Sequence, residues 1–525
     1  MTGRIEEDPL RTGALIDAYR RAVAIQFQPN PPDLGAALVD ADAHGWPDVE
    51  FMLHYAAYCH AATSPLPQAT RIAAALEQMR RLADRLGDPV VAAMTTAIEA
   101  RVRGSALNGG DVNLEQDEEN LAHAIAELDD ADPDSPFRGI AYFACAVAYA
   151  QSAAVQLEVD MYDRVEAADR NMPERYRQIG AITAREVAQN RVSALLDLAC
   201  EQAELGHRDA AATIAALAID RPLVRSDGAG GEAIQRQRAE LLVLSALARR
   251  PVPTSPPPVA TSHHPGVAAL EYLATAIRSA DEGHADAAAD AALKAIDELE
   301  GEMIRTMHGY ALSIAARRTP PDPTVERYIH VLAEDRRHAR QRLIGAARAR
   351  IQAESVRIEN AKLTERAFSD ELTGLGNRHA LARHLAAIAR SVSHDAVAVL
   401  LVDIDEFKAI NDAFGHMVGD EVLRRVGRLL DGHVRAGDIV VRLGGDEFVV
   451  VAHGAGTEQA MTSAQRLVEV ACEADWTEVA DGLRVGISVG VSAGQSADVH
   501  RLIDEADQGL YRAKQGGRGR VATID

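Results

Sequence analysis

The stretch RLGGDEFVVV, residues 442–451, sets two glycines and two carboxylates into a run that otherwise reads as apolar strand. Glycine weakens a strand interior and adjacent acids repel one another, so both belong at a turn. The longer segment DIVVRLGGDEFVVVA therefore predicts a β-hairpin with glycines and acids at or near its tip. Without side chains, Gly444 and Gly445 let backbone come close to a bulky ligand. A second acid-bearing strand end lies upstream in LLVDIDEFKAINDAFGHMVGD, where Asp403 closes an apolar run. If the two strands are neighbours, Asp403, Asp446 and Glu447 converge, and three carboxylates repel unless a cation sits among them. Oxygen ligands of this kind suit Mg2+ (or Mn2+), which usually shares its shell with water and a polyphosphate. The reaction class this suggests is phosphoryl or nucleotidyl transfer. An EF-hand reading fails, because Phe407 and Lys408 stand where that loop needs a ligand and a glycine.

Around these motifs, β-branched runs at 396–404, 438–443, 447–452 and 483–492 alternate with helical patterns at 378–391, 419–434, 458–474 and 499–515. That mixture predicts an α/β or α+β domain. Downstream, YRAKQGGRGR offers Lys514 and Arg518 as phosphate grips.

Five blocks then carry a resemblance: DELTGLGNR (370–378), VDIDEFKAINDAFGHMVGDEVL (402–423), RLGGDEF (442–448), ISVGVS (487–492) and ADQGLYRAKQGGRGR (506–520). In this order they resemble the GGDEF-type diguanylate cyclases over residues 369–525. The resemblance implies a palm-like nucleotide-cyclase fold and condensation of two GTP into cyclic di-GMP with release of two pyrophosphates. It implies metal ligation by Asp403, Glu447 and the Ile404 carbonyl, and help from Asp446 in deprotonating the attacking 3′-hydroxyl. Asn411 and Asp420 match guanine readers, a sensible filter because guanine offers donors on N1 and N2 and an acceptor on O6. Lys408, Lys514 and Arg518 match phosphate contacts. RAGD, five residues before the GGDEF stretch, matches a product-inhibition site through Arg435 and Asp438, with Arg466 as a second arginine. Gly519, Gly486 and His379 depart from the family pattern without removing a ligand, and the first is expected to loosen the last turn. No hydrolase segment follows, so phosphodiesterase activity is not expected.

The chemistry also asks for a homodimer, since each site holds one GTP and the reaction joins two in line. Two other classes stay open: a catalytically silent receptor for GTP or cyclic di-GMP, and a scaffold whose helical region carries the biological role.

That region, residues 1–335, is a series of alanine-rich amphipathic segments with apolar residues recurring at three and four. GHRDAAATIAALAID (206–220) matches GHADAAADAALKAID (283–297) at ten of fifteen positions, 77 residues apart. Half of that shift is close to the period of helical hairpins, and the region resembles tetratricopeptide-repeat arrays. The alternative is an ordinary all-helical domain. Either reading makes 1–335 a sensory or dimerisation surface with room for an unidentified protein or small-molecule partner. Proline-rich PVPTSPPPVATSHHPG (251–266) predicts a loop. Residues 336–368 form a connector helix; Ile344, Ile351 and Ile358 fall seven apart, with Ala347, Ala361 and Phe368 partly filling the companion seam. That resembles a short parallel coiled coil spoiled by Glu354, or else a solvated connector.

A net charge of −23 disfavours nucleic acid and anionic membrane as partners. The uncharged segment 139–157 is nearly bilayer length but mostly alanine, which predicts a buried helix rather than a membrane span. Four scattered cysteines and an acidic, non-apolar start predict buried free thiols in the cytoplasm, without zinc, disulfides or a signal peptide.

Overall fold

Alanine-rich amphipathic sequence becomes stacked helices because small side chains let helix axes approach closely. The computed structural model describes residues 8–24, 34–63, 68–104, 114–151, 155–220, 231–251, 265–298, 305–318, 322–390, 396–435 and 437–524. The chain divides into two units, Met1–Ile358 and Glu359–Asp525.

The first unit contains α1 (Pro9–Ala24), α2 (Gly35–His44), α3 (Pro47–Thr63), α4 (Ala69–Leu86), α5 (Pro89–Gly104), α6 (Leu114–Asp130), α7 (Arg138–Gln151), α8 (Val155–Arg170), α9 (Arg177–Glu204), α10 (Arg208–Ile219), α11 (Gly231–Leu247), α12 (Pro265–Asp281), α13 (Ala285–Glu298) and α14 (Arg305–Ala315). The two matching segments occupy equivalent places. Each is the second helix of a hairpin, α9–α10 and α12–α13, entered through a left-handed glycine, Gly206 at φ 80° and Gly283 at φ 82°. Every fully buried residue of α13 is alanine. The uncharged segment holds α7, and no helix among the described residues is long and apolar enough to cross a membrane. The expected loop at 251–266 lies mostly outside the described residues. Cys59, Cys145 and Cys200 are buried thiols outside any disulfide, as expected; Cys472 is likewise a thiol but exposed, because its helix turns that position to solvent.

The expected connector is the later part of one helix, α15 (Pro323–Phe368), which begins well before residue 336. Asp322 starts it by accepting from the Thr324 N–H at 2.8 Å. The first half of the seam expected to face a second chain is turned inward, while Ala361 is exposed and Ile358 and Phe368 are half-buried. Ala347 and Ile351 are buried in the first unit's core, and Ile344 packs against that core. Ion pairs fix this face: Arg336–Glu204, Arg340–Glu201, Arg348–Asp160 and Arg350–Glu118. Glu354, which spoils the heptad, lies 3.4 Å from His123 of α6.

The second unit is a five-stranded sheet in the order β2-β3-β1-β4-β5. Its strands are β1 (Ala396–Ile404), β2 (Ile439–Gly444), β3 (Glu447–His453), β4 (Ile487–Gln495) and β5 (Val521–Thr523). All pairs are antiparallel except β4–β5. Central β1 is buried on both faces, as its continuous apolar run requires. Alternate residues feed two cores. Ala398, Leu400 and Val402 pack with α18 (His416–Asp431) and α19 (Thr457–Glu473); Val397, Val399 and Leu401 pack with α16 (Arg378–Arg390) and α20 (Val499–Gln515). The short α17 (Phe407–Phe414) follows β1.

Candidate active site

Side-chain alternation decides what the end of β1 presents. Counting on from Leu401, Asp403 points to the α20 face. Across the β1–β3 ladder its register partner is Glu447. Two carboxylates therefore stand side by side where both strands end, and the Ile404 N–H donates to the Asp446 carbonyl at 3.2 Å. The hairpin turns tightly here: Gly444 pairs with Glu447 after a bulge, leaving Gly445 and Asp446 at the tip. Both glycines have positive φ, 140° and 58°, and an added Cβ would meet nothing. The backbone conformation thus requires them even before any ligand is considered.

Asp403 is buried, and Lys514 of α20 places its Nζ 2.6 Å from Asp403 Oδ2. Burial pushes the Asp403 carboxyl above its ordinary range; the Lys514 hydrogen bond opposes this, and the Asp446 and Glu447 charges add to it. The Lys514 ammonium thus compensates the buried Asp403 charge. The three acids do not form a single cluster: among the described residues no group of three His, Cys, Asp or Glu side chains could hold a metal ion. The donor set that remains is Asp403, Glu447 and the Ile404 carbonyl. Lys514, expected to grip phosphate, pairs with Asp403. A cavity of about 500 Å3 beside Glu447 and Lys514 is lined also by Asp507, Gln508 and Tyr511.

Asn411 on α17 and Asp420 on α18 lie on helices that pack together. A Cβ on Gly419 would lie 2.0 Å from Asn411 Oδ1, so glycine is needed for the amide to sit there. Lys408 is exposed at the start of α17, and Arg518 Nη1 lies 3.9 Å from Glu406. Sequence reasoning passed over Asp405. Its carboxylate accepts from Ser488 Oγ at 2.6 Å and from the Gly519 N–H at 2.9 Å, tying the loop that carries Arg518 to the end of β1. Gly519 was expected to loosen this turn. Instead it is held, at φ 56°, a conformation that suits glycine. Arg442 was also missed. It donates to both Asp370 oxygens, at 3.1 and 3.2 Å, and to the Gly445 carbonyl at 2.8 Å. Burial alone would raise Asp370, but bonds from Thr373 and Arg442 outweigh it and hold the carboxyl low.

At the RAGD stretch, Asp438 accepts from the Arg435 N–H at 3.1 Å and from the His453 N–H at 3.0 Å. The Arg435 side chain is exposed, as is Arg466 on α19.

Residues 367–520 match the family model described as diguanylate cyclase, GGDEF domain. The matched residues lie in the second unit. Over 166 residues the chain is 37% identical to the response regulator PleD of Caulobacter vibrioides, covering 30% of this chain and 36% of that protein. It is 33% identical over 176 residues to diguanylate cyclase A of Treponema denticola, covering 32% of this chain and 47% of that one. A crystal structure of the coiled coil and GGDEF domain of DgcB from Caulobacter crescentus in complex with c-di-GMP aligns with 34% of this chain and 96% of that chain, at 26% identity and a TM-score of 0.32. The chain spans less than half the length of the two curated relatives.

Proposed function

We propose that this protein is a diguanylate cyclase: two GTP molecules, one on each of two copies, condense to cyclic di-GMP. Each 3′-oxygen forms a bond to the α-phosphorus of the other GTP, each α–β phosphoanhydride bond breaks, two pyrophosphates leave, and two hydroxyl protons are given up. The carrying observation is the Asp403–Glu447 pair, set across β1 and β3 beside the glycine turn.

Asp403, Glu447 and the Ile404 carbonyl would hold Mg2+ or Mn2+, whose charge, when bound, offsets that of the triphosphate. Lys514 then exchanges Asp403 for phosphate, joined by Lys408 and Arg518. Asn411 and Asp420 read the guanine edge. Asp446 takes part in removing the hydroxyl proton. Gly444 and Gly445 keep the tip open to nucleotide. Arg435 and Asp438, with Arg466, form an inhibitory site for the product, since an arginine fork suits a guanine edge or a phosphate. The helical unit acts as a tetratricopeptide-like sensor, and residues 336–368 pass its state to 369–525.

Full-length protein incubated with GTP and Mg2+ tests this. The expected outcome is cyclic di-GMP from the wild type and none from Glu447→Gln. GTP bound by the wild type without any product would instead make the domain a receptor.

A further inference from the structure

The first unit contains a second cavity with unspent chemistry. It measures about 400 Å3 and lies between α9 and α15, with Gln156 of α8 at its side. That volume falls within the range of small-molecule sites. Leu198 and Ile344 give it an apolar part; Gln202, Gln341 and His207 give it hydrogen-bonding groups.

Its charges do not cancel. Three arginines of α15, Arg337, Arg340 and Arg348, line it against one acid, Glu201. Arg348 is paired with Asp160 at 2.6 Å. Arg340 Nη1 lies 2.7 Å from Glu201 Oε2, yet this buried nitrogen makes no hydrogen bond, so the contact is an ion pair off the hydrogen-bonding line. Arg337 has no acidic partner among the described residues; its Nη2 is 3.2 Å from His338, and its buried Nε has no hydrogen-bond partner. The buried Arg337 Nε–H is thus left without an acceptor, a costly arrangement that a bound acceptor relieves.

Gly345 is an independent sign. It lines the same cavity in the middle of a 46-residue helix, where glycine is less favourable than alanine. No packing reason demands it, because an added Cβ would find nothing within 4 Å. What the absent methyl preserves is space in the cavity.

We propose that this cavity binds a small organic anion, headed by a carboxylate or a phosphate, with Arg337 and Arg340 as its ligands and Gly345 as the residue that makes room. A molecule bound there bridges α9 and α15 and strengthens the hold of the first unit on α15, the helix that runs on to Phe368.

Thermal unfolding and equilibrium titration of the full chain with succinate and with inorganic phosphate, at matched ionic strength, test the site. The wild type is expected to show saturable stabilisation by at least one anion. Response to phosphate alone marks a phosphorylated ligand, and response to succinate alone a carboxylate. Arg337→Gln should weaken binding at least tenfold, while Arg342→Gln, on the same helix outside the cavity, should leave it unchanged. Gly345→Ala should raise the melting temperature of the free protein yet weaken the anion, which separates lost binding from lost folding. No saturable response to either anion, or equal response in Arg337→Gln and Arg342→Gln, overturns the proposal. An effect of the anion on cyclic di-GMP formation rests on the cyclase reading; binding does not, so failure of one is distinguishable from failure of the other.

Discussion

Gly419 shows how much a single hydrogen atom can specify. Because a methyl there would overlap Asn411 Oδ1, Gly419→Ala must displace the amide while leaving Asp403 and Glu447 in place. On the cyclase reading the variant raises KM for GTP by roughly tenfold or more, the equivalent of one lost hydrogen bond of about 1.4 kcal/mol. Steady-state kinetics with GTP check this; an unchanged KM would remove Asn411 from base recognition. A second residue-level expectation concerns Asp405. Asp405→Ala should release the Gly519 turn and lower turnover, with metal affinity kept. Asp403 and Glu447 were legible in the sequence because acids that end apolar strands stand out locally. Asp405 and Arg442 were not, because their partners are remote: Ser488 is 83 residues from Asp405, Gly519 is 114 away, and Asp370 is 72 from Arg442.

At the scale of elements, β1 and α20 were legible to the residue, since each carries an unbroken pattern of one period between clear breakers. The three-residue β5 and the eight-residue α17 were too short to show a period. The length of α15 was missed although Pro320, Pro321, Asp322 and Pro323 mark its start locally, because its first turns carry no heptad pattern to join them to the connector. Which face of α15 is covered depends on acids of α6, α8 and α9, none of which adjoins it in sequence. These helices also store a pH dependence. Burial holds Glu158, Asp169 and Asp197 up at about 7, and neither Asp169 oxygen has a hydrogen-bond partner. A carboxyl whose pKa is raised by folding binds more protons folded than unfolded. Its stabilising contribution is therefore full below the unfolded value near 4 and is lost as pH rises through about 7. The melting temperature of the first unit's transition should fall between pH 5.5 and 8.5, and Asp169→Asn should flatten that fall. A melting temperature that rises over the range would contradict the assignment.

For the whole molecule, a reaction that joins two nucleotides held on two copies makes activity depend on how copies meet. Turnover per chain should rise with protein concentration before levelling off. The inward-turned Ile344, Ala347 and Ile351 cannot supply a dimer seam while α15 lies against its own unit, so on the cyclase reading a dimer would use another surface or need that packing to change. Arg435→Ala should raise the final yield of cyclic di-GMP by removing feedback; a mutant that stalls at the wild-type product level would take Arg435 out of that role. The acid pair at the strand ends remains the centre of the account, and stoichiometry interrogates it most directly. GTP consumed, pyrophosphate released and cyclic di-GMP formed should be measured together for the wild type and for Asp403→Asn. The account predicts two GTP lost and two pyrophosphates released for each cyclic di-GMP, with all three changes abolished in Asp403→Asn. Product formation by Asp403→Asn at the wild-type rate, or GTP loss without cyclic di-GMP in the wild type, would contradict it.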